Sequence, residues 1–282
     1  MVLNGLVEGL VVALVALAIT LVYAIARFSN AATGDYLTFG AYVAKGAATW
    51  TGSMVAGVAA GMAATAVLSV FFYGWVFRRL LRRSHVIALV ASIGVAFFVR
   101  HTMTLFTGHE PFVYDLPIVR AWNIHGVLLQ RTDLAVAIAG IASLGLVFAL
   151  LHFTSLGRHM RAVADNVDLA RSSGINTDRV MVALWLLVGA ICGVAGILVG
   201  VKSVIHPELG WDLLLPGFAA AILGGFASPV GAVVGGLVIG LTHELAAPFV
   251  GYSYKLAVSF VIILVFLLWR PGGLFGRVEE VR

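Results

Sequence analysis

Apolar runs recur along the chain from residue 3 to residue 269, separated by short polar stretches. A helix rises about 1.5 Å per residue, so roughly 20 residues cross a hydrocarbon core about 30 Å thick. Residues 3–25, 53–77, 86–106, 133–152, 180–200 and 252–269 read as such helices. Residues 36–50 form a shorter apolar piece that carries Lys45, and residues 213–247 are glycine-rich and broken at Ser228-Pro229. In hydrocarbon the backbone must be satisfied internally, and these runs can do that as helices. The pattern predicts an all-α, polytopic membrane bundle with broken or short helices, one transmembrane domain over residues 1–282.

The polar stretches orient the bundle. Arg78, Arg79, Arg82 and Arg83 form the strongest positive loop, which belongs in the cytoplasm. Parity puts 153–179, with Arg158, Arg161, Arg171 and Arg179, on the same side. The end of the chain, with Arg270, Arg277 and Arg282, joins them; Arg27 lies inside and the N-terminus outside. The 213–247 stretch then starts and ends outside. Its arms are short, which favours a hairpin of short helices meeting inside the bundle over two short crossings.

Composition agrees: 61% of residues are hydrophobic and 11% charged, with a mean hydropathy of +1.04. The net charge of +5 sits at the ends of apolar runs, which marks topology and contact with anionic lipid rather than nucleic acid. Cys192 is the single cysteine, so it forms no internal disulfide and reads as core. No basic region precedes residues 5–25, so the first run reads as a retained helix rather than a cleaved signal.

Catalytic motifs are missing. Gly196–Ser203, GILVGVKS, has the wrong spacing for a phosphate loop, and neither HExxH nor GxSxG occurs. His101, His109 and His125 lack metal-ligand spacing. No catalytic, cofactor or metal site is expected in this chain.

Four segments carry the candidate chemistry. Residues 153–179 hold GRHMRAVADNVDLARSSGINTDRV from Gly157. Ala162, Val163, Leu169 and Ala170 give one apolar side to a helix over 158–171, and Gly174 can end it. Such a helix either lies on lipid headgroups or docks a cytoplasmic protein. Asn30, Thr33, Gly34 and Asp35 cluster where the first helix gives way to the short second one. Asp35 can cap that helix, or the cluster belongs to a cytoplasmic gate, a poor place for a first encounter with solute. In Ile222–Gly236, ILGGFASPVGAVVGG, residues Gly224, Gly225, Pro229 and Gly231 permit close packing and a break. Free N–H groups at such helix ends also bind carboxylates. His243 and Glu244 are ionisable groups in an apolar stretch near the outer face. The external 107–131 loop contains an interfacial segment from Tyr114 to Leu129, where Trp122 either anchors at the headgroups or meets a soluble partner.

Taken in order, four stretches resemble the permease subunits of branched-chain amino acid ABC importers, of the LivH-like type. They are LVYAIARFSNAATGDYLTFGAY between Ala16 and Tyr42, RAVADNVDLARSSGI at Arg161–Ile175, LGGFASPVGAVVGG, and WRPGGLFG at Trp269–Gly276. The resemblance implies a non-catalytic importer subunit in the bacterial cytoplasmic membrane, in contact with membrane lipid. It implies a second LivM-like permease, two cytoplasmic ATPase subunits that use ATP, and a periplasmic or surface-attached binding protein. It places the coupling helix region at 157–176, with Arg161, Ala162, Asp165, Asn166, Ala170, Gly174 and Ile175 at its matching positions. Where many relatives have histidine before Gly-Asp, this chain has Thr33. The implied mechanism is alternating access. Relatives also serve urea, short amides and other amino acids. The rival classes are an ion-coupled secondary transporter and a membrane scaffold.

Overall fold

The computed structural model describes residues 1–81, 83–115, 122–124, 127–251, 254–269 and 272–275. Arg82, His125, Arg270, Arg277, Arg282 and the Trp122 side chain, used above, lie outside that description.

The long apolar runs are helices: α1 (Val2–Ala26), α2 (Thr33–Thr51), α3 (Met54–Phe72), α5 (His85–Thr107), α6 (Arg131–Phe153) and α9 (Thr177–Lys202). α3 passes through a π turn at Tyr73–Phe77 into a last turn, α4 (Arg78–Leu80). α10 (Leu209–Gly224), α11 (Pro229–Val250) and α12 (Lys255–Trp269) follow. Six of these segments are long and apolar enough to cross a membrane. A small antiparallel hairpin, β1 (Trp122–Ile124) and β2 (Val127–Leu129), lies in the external loop. Phe112 and Ile205 also pair across the loops before β1 and α10.

α1 is the axis of the bundle. It is buried along most of its length against α11, α10 and α9. By contrast α3, α5 and α6 bury one side and turn Phe71, Phe98, Ile138 and Leu146 outward. Apolar surface of that kind is what lipid or a membrane partner covers. Small residues set the closest approaches. Gly5 and Gly9 of α1 face the backbone of α11, and a side chain at Gly240 would overlap Gly9. Lipid tails are as apolar as the helices, so close van der Waals packing supplies much of the association.

One end of the bundle gathers the basic segments. The Arg27 side chain donates to the carbonyl of Ala164, and Leu274 N–H donates to Leu223 O at 2.8 Å. The end of α1, the 153–179 loop, the α10–α11 turn and residues 272–275 therefore share a face, the arginine-rich one, which the positive-inside rule assigns to the cytoplasm.

Two expectations change. The 213–247 stretch is not a hairpin meeting inside the bundle. Its turn lies beside Tyr23, in the last turns of α1, with the Tyr23 and Phe226 rings 4.5 Å apart. From there α11 runs back along α1 to the opposite end. Glycine had disguised the length of α11, which extends to Val250. The helix expected over 158–171 is two: α7 (Ser155–Asp165) and α8 (Val167–Ser172). Asn166 divides them, because its Oδ1 accepts from the N–H groups of Asp168 and Leu169, both at 3.0 Å, and caps α8.

Within α2 the packing predicts opposite outcomes at two glycines. A Cβ at Gly40 would stand 2.7 Å from Gly193 Cα, whereas Gly46 faces open space. Gly40→Val is expected to cost about 1–3 kcal/mol or more through overpacking, and Gly46→Ala to cost nothing. Thermal unfolding in detergent checks both.

Candidate functional site

The segment between α1 and α2 is the least ordinary backbone in the bundle. α1 ends at Arg27, whose φ of 60° is the left-handed conformation; among described residues it is the only non-glycine with positive φ. This reverses the chain. It does not skirt the cytoplasmic face but climbs back between the helices. Asn30, Ala32, Thr33 and Asp35 are buried. Ala31 N–H donates to Ser92 Oγ of α5 at 3.0 Å. Asn30 closes the break locally: its Oδ1 accepts from Ala32 N–H at 3.1 Å and its carbonyl accepts from Thr33 Oγ1 at 2.9 Å. Irregular backbone inside a membrane protein survives only with such internal partners.

α2 therefore starts well inside the bundle, and α10 starts beside it. Gly34 and Gly210 touch through their backbones, and Gly210 N–H donates to Thr38 Oγ1 at 2.8 Å. A side chain at either glycine would separate the two helix ends.

Asp35, expected either as a cap of α2 or as part of a cytoplasmic gate, is not the N-cap residue. The N-cap position is Ala32, with no side-chain cap bond. The Asp35 carboxylate instead takes a two-pronged contact from Arg100 of α5, Nε to Oδ1 at 2.9 Å and Nη2 to Oδ2 at 3.2 Å. Arg100 lies about two turns from the outer end of α5. Its guanidinium also stands 5.5 Å from the Phe97 ring and 5.1 Å from the Trp211 ring. The cluster thus belongs to the outer half of the bundle. On the outer side lie His206, Glu208 and Asp212, with His206 3.7 Å from each acid.

Towards the cytoplasm the break is plugged by aromatics. Phe28 packs 5.4 Å from Phe77 and 6.2 Å from Trp185, and Phe77 stacks on Trp185 at 5.0 Å. Tyr73 also stacks on Trp185, with the ring centroids 5.7 Å apart. The π turn brings both Tyr73 and Phe77 into it.

A second polar nest joins α1, α11 and α12 near the outer end. Glu8 accepts from His243 at 3.0 Å and from Lys255 at 3.0 Å; Lys255 also reaches Glu244 at 3.1 Å. His243 pairs with Ser259 as well. Of these, His243 and Glu244 stand out in the sequence as ionisable groups in an apolar stretch; Glu8, the one charge in the first apolar run, gains its role only from these distant partners.

The remaining candidates lie at the cytoplasmic end. Ala170 is buried, while Arg161, Asp165, Asn166 and Gly174 are exposed, and Gly174 has a φ of 83°. Arg161 donates to Leu151 O at 2.5 Å, which ties α7 to the end of α6. Ala162 and Ile175 are half-buried. Gly224, Gly225, Pro229 and Gly231 form the tight α10–α11 turn, where Gly224 and Gly231 touch and Ser228 Oγ caps α11. Phe275 N–H donates to Gly224 O at 3.0 Å, so the glycine-rich stretch and the chain's WRPGGLFG stretch meet in space. The glycine turn is thus remote from Asn30, Thr33, Gly34 and Asp35.

Residues 1–267 match the family model described as branched-chain amino acid transport system / permease component. The chain belongs to this family. The high-affinity branched-chain amino acid transport system permease protein LivH of Escherichia coli (strain K12) is 31% identical over 98% of this chain and 94% of the relative. The corresponding BraD protein of Pseudomonas aeruginosa is 30% identical over 98% and 95%. A ribose import permease protein, RbsC of Escherichia coli (strain K12), is 28% identical over 67% and 62%. The polytopic helical fold, with its six spans, is that of a multi-pass membrane permease component.

The permease's buried pair predicts a non-additive stability cycle. Arg100→Leu alone, which strands the Asp35 carboxylate, is expected to cost about 3–5 kcal/mol, and adding Asp35→Leu to recover most of it. Denaturant unfolding of the four proteins in detergent measures the coupling.

Proposed function

We propose that the chain is the membrane-spanning subunit of an ATP-driven importer for branched-chain amino acids in a bacterial cytoplasmic membrane. The observation that carries this reading is the near full-length similarity to LivH and BraD, whose names state that transport system. Partners complete the machine: a second, LivM-like permease, two ATPases that bind and hydrolyse ATP, and a binding protein that delivers solute. This chain supplies gating surfaces and no bond chemistry.

The mechanism is alternating access. Asp165, Asn166, Val167 and Leu169 are exposed at the cytoplasmic tip, and they form the surface on which an ATPase pushes. Gly174 lets the chain turn from α8 towards α9, while Ile175 N–H, bonded to Ala170 O at 3.0 Å, holds that turn. Arg27 links α7 to the first residue of the buried break. Movement of α7 and α8 is therefore felt at the segment that carries Phe28 and Asp35. Opening inward displaces Phe28 from Phe77 and Trp185; opening outward exposes the Arg100 side of the break.

The test is reconstitution of the whole complex in proteoliposomes with binding protein and ATP. Leucine, isoleucine and valine are expected to accumulate only when both are present. A panel with urea, short amides, other amino acids and ribose fixes the solute class. Uptake of these solutes by the isolated chain on an ion gradient would overturn the ATP-driven reading. Asn166→Ala, which removes a cap worth about 1 kcal/mol, is expected to lower coupled uptake several-fold while leaving membrane insertion intact. Unchanged uptake after replacing both Asp165 and Asn166 by alanine would remove the coupling role.

A further inference from the structure

We propose that Asp35 and Arg100 form the point where the permease grips the two charged ends of a free amino acid, Arg100 taking the carboxylate and Asp35 the ammonium. This rests on the import reading above and deepens it, because it names the part of the solute that the membrane subunit recognises.

Stability alone is a weak reason for the pair. Two ionised groups removed from water lose hydration, and well-packed apolar residues hold helices together at least as well. An ionisable residue inside a membrane bundle is for that reason a functional candidate with its partner. Here the pair joins the start of a buried, broken helix to α5, which packs chiefly on α2. Two helix ends, at Gly34 and Gly210, converge beside it.

The chemistry matches a zwitterion. The pair is neutral and so is the solute, so binding leaves the site with no added charge in a low dielectric. The planar guanidinium already holds a carboxylate in two-pronged geometry at 2.9 and 3.2 Å. Exchange of that carboxylate for the solute's frees Asp35 for the ammonium, and each charge keeps a partner. A lone arginine or a lone aspartate would instead bind one end of the solute and leave the other unmatched.

The surroundings serve the exchange. Phe97 and Trp211 flank the guanidinium and hold it by their faces while its carboxylate partner changes. Both rings are partly exposed, at 45% and 37%, so the Arg100 side of the pair lies just beneath the surface of α5 and α10. They also offer apolar surface to an aliphatic side chain. His206, Glu208 and Asp212 stand on the outer approach, so the pair is reached from the side where a binding protein delivers. The plug of Phe28, Phe77 and Trp185 closes the path below it.

The alternative is a latch that only fastens α5 to α2. The experiment separates the two with the full complex, binding protein and ATP in proteoliposomes. Asp35→Asn combined with Arg100→Gln keeps the shape and strands no charge; assembly is checked by co-purification of the partners. Leucine transported per ATP hydrolysed is expected to fall about tenfold or more. A latch role moves uptake and ATP hydrolysis together, so an unchanged ratio would overturn the proposal. A second measurement needs no variant: the structure of the wild-type complex trapped during turnover should place the leucine carboxylate on Arg100, and leucine held at another site would overturn the proposal. Wild-type vesicles that import no branched-chain amino acid defeat the import reading itself. Wild-type import with an unaltered ratio in the double variant defeats only the role given to this pair.

Discussion

Backbone polar groups inside a membrane have no water to turn to, and this constraint shapes the whole bundle. Most of the chain meets it by running as helix from one side to the other. The 27–32 segment meets it differently. Arg27 turns the chain inward, Asn30 accepts from Ala32 N–H and Thr33 Oγ1 within the break, and Ser92 of α5 accepts from Ala31 N–H. Everything placed at the centre of the molecule depends on that solution. It starts α2 in the interior and so carries a carboxylate to a depth at which no ordinary helix–loop–helix turn would leave one.

The arrangement around the break is layered. On the outer side are charge and aromatic faces, with Asp35, Arg100 and Trp211. On the inner side is a buried aromatic stack, Phe28, Tyr73, Phe77 and Trp185. The tie from Arg27 to α7 connects this core to the exposed tip of the cytoplasmic loop. An ion pair above, an aromatic layer below and a tie to the 153–179 loop are the parts that the proposed alternating access uses. The glycine turn at 224–231 and residues 272–275 are a separate packing unit that fixes α10 against α11 at the cytoplasmic end.

Much of this was legible in the sequence because hydrocarbon tolerates few departures from long apolar helices. Five of the six expected spans fall within a few residues of their expected ends, whereas α12 is described over Lys255–Trp269 alone and the sixth long span is α11; the arginine-bearing loops gather at one end of the bundle, as expected. The failures have a common cause. Asp35 beside a helix start looks the same whether it caps that helix or reaches a distant arginine; the partner stands 65 residues away. Asn166 reads as a polar interruption on a helix face, yet its side chain ends one helix and starts another. Glycine lowers the apparent hydropathy of α11, so a full-length helix reads as a short arm. Glu8 was visible as a lone charge in an apolar run, but its meaning depends on His243 and Lys255, far along the chain.

The account stands on the break lying inside the bundle, against α5. Cysteines introduced at Ala31 and Ser92, with Cys192 replaced by serine, measure this most directly in membranes. Oxidation is expected to cross-link residues 31 and 92, and a membrane-impermeant thiol reagent to leave residue 31 unlabelled. Free labelling of residue 31 from the cytoplasmic side, with no cross-link to residue 92, would contradict it.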